Sequence, residues 1–181
     1  MEGMTRSQLA TRIYRTSRLT GEFVLRSGAV ANEYFDKYRF EHDPKLLKAI
    51  AEAMAPLVPD RTDALAGLEL GGVPVATLLS QVTGLPLFSV RKKAKEYGTR
   101  NLAEGGDVAG KRLLVIEDVV TSGGQVVIST GDLRDLGAHI ESALCVIDRQ
   151  AGGREALAGV GVELLPLFTM AELETEASRV A

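Results

Sequence analysis

The stretch Leu113–Gln125, LLVIEDVVTSGGQ, decides how the rest of the chain is read. An apolar run ends in two adjacent acids, Glu117 and Asp118. Two more apolar residues follow, and then the small-residue turn Thr121-Ser122-Gly123-Gly124. Carboxylates resist burial unless something pairs them, so a buried-looking strand that ends in two of them is delivering them to a ligand or a partner. The turn offers two hydroxyls and backbone N–H groups that no side chain obstructs. It opens a helical pattern from Gln125 to Leu136, whose N-terminal dipole favours an anion. Taken with the acids, this describes a ligand that carries both hydroxyls and phosphate, such as a sugar phosphate.

Outward from this stretch, short apolar runs alternate with helical patterns. Ala64–Leu68, Leu85–Val90, Arg112–Ile116, Ile140–Ile147 and Val162–Leu167 read as strands. Val73–Val82 and Gln125–Leu136 read as helices, the second stopped by Gly137. Arg154–Ala158, between glycines, is at most one helical turn. Upstream, Thr5–Arg18 can form a short helix with Leu9 and Ile13 on one face. Asp43-Pro44 is an N-cap followed by proline at the first helical position, ahead of Leu46, Ile50 and Met54 on one face. Thr169-Met170-Ala171-Glu172 has the form of a capping box. Such alternation predicts a central, mostly parallel sheet covered by helices on both faces. In sheets of this kind ligands sit at the carboxyl ends of the strands, where Glu117-Asp118 falls.

The chain has 181 residues, 45% hydrophobic and 25% charged, with a formal net charge of -3. That length suits one domain, residues 1–181. The mild acidity gives no basic footprint for nucleic acid. No apolar stretch reaches the ~18 residues of a membrane span, and a lone cysteine, Cys145, allows no internal disulfide. A soluble cytoplasmic protein is expected. Two other motifs lead nowhere. GGDVAGKR, Gly105–Arg112, approaches a phosphate-binding P-loop but has Arg112 where Ser or Thr is needed, and it precedes a strand. No G-x-G-x-x-G occurs, and His42 and His139 have no companions at metal-ligand spacing.

VIEDVVTSGG resembles the phosphoribosyl-pyrophosphate (PRPP) motif of the type I phosphoribosyltransferases. Four further stretches resemble the orotate phosphoribosyltransferases of that group, in family order across about residues 19–172. RKKAKEYGTR, Arg91–Arg100, has five basic residues against one acid and is similar to the family's mobile basic loop, with Tyr97 where histidine is usual. GEFVLRSGAVANEYFD, Gly21–Asp36, resembles the segment that closes over the pyrimidine, with Arg26 in place of lysine and Ala31-Asn32 in place of Ser-Pro. GLELGGVPVA, Gly67–Ala76, resembles the pyrophosphate loop, with Gly71 where many relatives carry lysine. Asp148-Arg149 resembles a pair whose arginine meets the substrate carboxylate.

What the resemblance implies is specific. The fold is that of the type I phosphoribosyltransferases, with a small hood from about residues 1–40 and C-terminal elements. The activity is transfer of phosphoribose from PRPP to orotate, giving orotidine 5′-monophosphate and pyrophosphate. Lys95, Asp118 and Arg91 are the implied catalytic residues. PRPP would be held by Glu117 and Asp118 on its ribose hydroxyls and by Thr121, Ser122, Gly123, Gly124 and Gln125 on its 5′-phosphate. Gly71, Gly72, Arg91, Lys92, Lys95 and Tyr97 would serve its pyrophosphate. Arg26, Tyr34, Phe35, Thr121 and Arg149 would surround orotate. Magnesium would ride on PRPP without direct protein ligands. A homodimer with shared sites, in which the basic loop from Arg91 to about Gly106 is a mobile lid, completes the expectation. Two alternatives stay open: transfer to another base, and a PRPP-sensing protein without turnover.

Overall fold

The structure, a computed structural model, describes residues 4–25, 27–94 and 101–179. After helix α1 (Arg6–Ser17) comes a hairpin of β1 (Arg18–Val24) and β2 (Val30–Phe35), then α2 (Tyr38–His42) and α3 (Pro44–Met54). There follow β3 (Ala64–Leu68), α4 (Gly72–Thr83), β4 (Leu87–Val90), β5 (Ala103–Glu104) and β6 (Leu113–Val120). The chain continues through α5 (Gly124–Asp135), β7 (Ser142–Asp148), α6 (Gly153–Ala158), β8 (Glu163–Thr169) and α7 (Met170–Arg179). The main sheet has the order β5-β4-β3-β6-β7-β8. Every pairing in it is parallel except β4 with the short edge strand β5.

Local chemistry sets the element ends. Thr5 caps α1 and Gln8 returns the bond, a complete capping box. Asp43 Oδ1 accepts from the N–H groups of Lys45 and Leu46, and Pro44 opens α3. Thr169 and Glu172 likewise bond each other's backbone N–H at the start of α7. The apolar spacing of α3 buries Leu46, Ile50 and Met54, all without exposure.

Two cores result, one on each face of the sheet. The first joins Leu9 and Ile13 of α1, α3, Val75 and Leu79 of α4, and Leu173 of α7 to Leu65, Leu114 and Ile116. On the other face Val126 and Leu133 of α5 and Leu157 of α6 pack with Ala66, Val115 and Cys145. Terminal helices α1 and α7 lie together, with Thr11 Oγ1 donating to the Glu176 carbonyl at 3.2 Å and Arg6 to the Leu167 carbonyl at 2.7 Å. The β1–β2 hairpin forms a sheet of its own.

Two expectations need correcting. First, β6 does not stop at Ile116; it runs on to Val120, because Glu117, Val119 and Val120 all pair with β7. The acids therefore lie within the strand. Second, the segment Arg18–Phe35 contains a hairpin that periodicity missed. Its strands are mostly exposed, so they show no apolar alternation.

Candidate active site

Strand order identifies the functional crevice. From β3 the chain crosses to β4 on one side, and β6 returns on the other side of β3. The carboxyl ends of β3 and β6 are therefore neighbours whose connections lead to opposite faces, α4 with the first core and α5 with the second. Such a switch point opens a crevice between the two following turns. Here the turns are Glu69-Leu70-Gly71, entered through a cis Glu69–Leu70 peptide, and Thr121-Ser122-Gly123.

The second turn is built for close approach of an anion. Gly123 has φ +77°, and a Cβ there would meet Leu157 Cδ1 at 2.7 Å. Glycine is thus required both by conformation and by packing on α6. The turn leaves Thr121, Ser122 and Gly124 exposed, and the first-turn N–H groups of α5 have no partner within the helix. The Gln125 side-chain amide donates to Ser129 Oγ at 3.1 Å. Arg149 follows β7, and its N–H donates to the Val120 carbonyl at 2.9 Å, which sets it beside the same turn with its side chain exposed.

At the first turn a Cβ on Gly71 would overlap the Asp118 carboxylate, and one on Gly72 would overlap the Ile116 carbonyl. Both glycines are thus matched to β6. Asp118 is fully buried. Its Oδ1 accepts from the Val119 N–H at 2.6 Å, and its Oδ2 is ion-paired with Lys37 Nζ at 2.6 Å. Glu117 Oε1 accepts from the Asp118 N–H at 3.0 Å. Glu41 Oε1 approaches to 3.0 Å from where the Gly71 Cβ would stand, so it faces the same Asp118 oxygen. Three carboxyls thus share one ammonium.

The electrostatics follow from that crowding. Burial, then the neighbouring Asp118, pushes Glu117 up to about 9. Burial and then Asp118 likewise push Glu41 up to about 9, with Asp36 adding to the rise and Lys37 opposing it. Burial works against the charge on Asp118 too, but hydrogen bonds from Glu117, Glu41 and Lys37 outweigh it and hold that carboxyl below its ordinary value. For Lys37 burial is again the largest influence; the bond to Asp118 and the charges of Asp118 and Glu117 overcome it and raise its pKa. Asp118 is the ionised member of the trio, and its neighbours keep their protons.

A pH dependence of stability follows. Glu41 and Glu117 bind protons more tightly folded than unfolded, so between about pH 4.5 and 9 the native state holds more protons than the unfolded chain. Raising pH through that window therefore costs stability. We expect the melting temperature to fall between pH 6 and 9, and Glu41→Gln to flatten that fall. A melting temperature that is level or rising over this range in calorimetry would refute the shared-proton arrangement.

The remaining expected residues separate into groups. Lys95, Tyr97 and Arg26 lie outside the described residues. Arg91 is paired with Glu104 at 3.2 Å across the β4–β5 edge, at the base of the basic loop. The Lys92 N–H donates to Glu69 Oε1 at 2.6 Å, tying that base to the Gly71 turn. Tyr34 and Phe35, expected together over a base, point to opposite faces because they are consecutive in a strand. Phe35 packs toward the first core and Tyr14, its ring 6.3 Å away, whereas Tyr34 is exposed beside Phe23 at 5.6 Å. Only Tyr34 retains an open aromatic face.

Sequence reasoning missed Lys37, Glu41 and Glu69. The signal for the first two was present as a Lys–Glu pair four residues apart, which places both on one face of a helical turn. Among the described residues no group of three or more His, Cys, Asp or Glu side chains is arranged so as to hold a metal ion.

Residues 38–160 match the phosphoribosyl transferase domain family, the class that this sheet and its two turns define. An orotate phosphoribosyltransferase from Nocardioides sp. is 57% identical over 166 residues, covering 92% of this chain and 93% of its own. Another, from Halobacterium salinarum, is 46% identical over 153 residues, covering 84% and 87%. Among solved structures, that of Mycobacterium tuberculosis orotate phosphoribosyltransferase in complex with PRPP superposes with a TM-score of 0.79 at 30% identity, covering 93% of this chain and 98% of that one. The chain belongs to the orotate phosphoribosyltransferase family, and so to the type I phosphoribosyltransferases.

Proposed function

We propose that this protein transfers phosphoribose from PRPP to orotate, releasing pyrophosphate and forming orotidine 5′-monophosphate for pyrimidine synthesis. The observation that carries this reading is the placing of an acid pair between two glycine turns at the switch point of the sheet. A ligand spanning that crevice meets backbone donors at both ends and carboxylate acceptors in the middle, which matches the two phosphate-bearing ends and central hydroxyls of PRPP. In this reading Glu117 and Asp118 take the ribose hydroxyls and Thr121–Gln125 the 5′-phosphate. Gly71 and Gly72, with Arg91, Lys92, Lys95 and Tyr97 of the loop, serve the pyrophosphate. Orotate lies toward Arg149 and Thr121, with Tyr34 of the hairpin and with Arg26.

The reaction displaces pyrophosphate at C1′. The C1′–O bond breaks as pyrophosphate takes the electron pair, and a ring nitrogen of orotate bonds to C1′ through an oxocarbenium-like state. The chain needs no covalent nucleophile: it positions the two substrates and stabilises charge on the leaving group. Magnesium would be held by the pyrophosphate and ribose oxygens of PRPP, with the Asp118 carboxylate as a nearby charge. It would neutralise developing charge on pyrophosphate.

The direct test is a panel of bases with PRPP and magnesium, scored by pyrophosphate release. Orotate should support release, and chelation of the metal should abolish it until magnesium is restored. Release with a different base alone would reassign the substrate, and PRPP binding without release from any base would make the protein a sensor.

The reading includes a cytoplasmic homodimer in which one subunit's basic loop completes its neighbour's site. In support of a reducing setting, the chain's one cysteine, Cys145, is buried, and that burial pushes its thiol pKa up and keeps it unreactive. Among the described residues no helix is long and apolar enough to cross a membrane. Mixing Lys95→Ala with Asp118→Asn subunits should restore activity above either homodimer, since one of the mixed sites then carries neither substitution. Mixed dimers that form without any such rescue would rule out shared sites.

A further inference from the structure

We propose that Lys37, the N-cap residue of α2, and Glu41 within α2 are positioning residues for Asp118, holding its carboxylate ionised and in one orientation against the Gly71 backbone. The inference rests on the reading of the acid pair as the ribose site and extends it to an element with no place in that reading.

Geometry carries it. Asp118 has no solvent exposure. Its Oδ1 is committed to the Val119 N–H, so its orientation depends on what meets Oδ2. Lys37 meets that oxygen at 2.6 Å. From the other side Glu41 Oε1, itself buried and without an N–H or hydroxyl donor among the described residues, faces it past Gly71. Two carboxyl oxygens in that relation need a proton between them, and Glu41 is the member that keeps one. The absent side chain at Gly71 leaves room for this, since any Cβ there would displace the carboxylate.

Without Lys37, Asp118 would be a buried acid beside Glu41 and Glu117 with no positive charge to favour its ionised form, which moves its pKa upward and weakens it as an acceptor. The Lys37 side chain is 34% exposed, so its ammonium can swing outward to admit a ribose hydroxyl to Oδ2 while staying within range of the charge. The charged groups facing Glu41 are Asp118, Lys37 and Asp36, with Glu117 behind Asp118. Ionisation of Glu41 therefore adds negative charge to a crevice that must accept an anion.

The test is steady-state kinetics with PRPP varied, on Lys37→Met and Glu41→Gln, each alone and combined with Asp118→Asn, from pH 6 to 10. Lys37→Met should raise KM for PRPP about tenfold or more, the size of a lost charged hydrogen bond, with a smaller change in kcat. In the Asp118→Asn background it should add less than about twofold, because the two residues act as one unit. Lys37→Arg, which keeps the charge, should recover much of the loss. Glu41→Gln should make the alkaline limb of the kcat/KM profile shallower. An equal cost of Lys37→Met in both backgrounds would overturn the inference, as would an unchanged KM in Lys37→Met where Asp118→Asn raises it. A neutral Asp118→Asn would instead overturn the ribose reading itself, and the two failures are separately visible. If Lys37→Met does not fold, Lys37→Gln, which removes the charge but keeps a polar side chain, carries the same comparison.

Discussion

Asp118→Asn lowers kcat/KM for PRPP by about one to two decades while the protein stays folded. The estimate comes from ~1.5–3 kcal/mol for a hydrogen bond to a charged group. The substitution preserves the shape of the side chain and its bond from the Val119 N–H. It removes the charge that Lys37 pairs and that the ribose hydroxyls would use. Lys37 is partly exposed and can turn to water, so the fold tolerates the change better than the reaction does. Initial rates with PRPP varied, beside a melting curve of the same preparation, measure both quantities. Near wild-type kcat/KM in a folded Asp118→Asn protein would remove the ribose role from the acid pair.

The second large effect concerns the base. Orotate carries a carboxylate, and Arg149 stands exposed beside the Val120–Thr121 end of β6. A neutral base such as uracil leaves that guanidinium without a partner in a closed site, which is penalised. Orotate should therefore be preferred to uracil by roughly two decades in kcat/KM, from ~3 kcal/mol for a charged contact. Arg149→Ala should erase most of that preference with little change in PRPP binding, because the arginine follows β7 and the turns proposed to hold PRPP follow β3 and β6. Competition between the two bases in one reaction reads the ratio directly. If discrimination survives in Arg149→Ala, the carboxylate is read elsewhere, with Arg26 as the next candidate.

The short-range features of this chain were legible in its sequence because they rest on neighbouring residues. The capping box at Thr169, the Asp43-Pro44 start of α3, and the β3 span from Ala64 to Leu68 depend on local hydrogen bonds and local apolar spacing. The Thr121–Gly124 turn and its acid pair could be read as an anion site for the same reason. The hairpin from Arg18 to Phe35 was not legible, since strands that fully bury neither face leave no regular apolar alternation. Nor was the split between Tyr34 and Phe35, which depends on what packs against each face of the hairpin.

The state of the acid pair was decided by tertiary structure alone. Glu117 and Asp118 are adjacent and chemically alike, so their sequence cannot say which of them is ionised. The fold separates them by bringing Lys37 and Glu41, from the start of α2 and within it, and the Cβ-free backbone of Gly71 against Asp118, from which all three are distant in the chain. Charge, burial and shared protons are sums over everything near a group in space, and only the folded chain determines what is near.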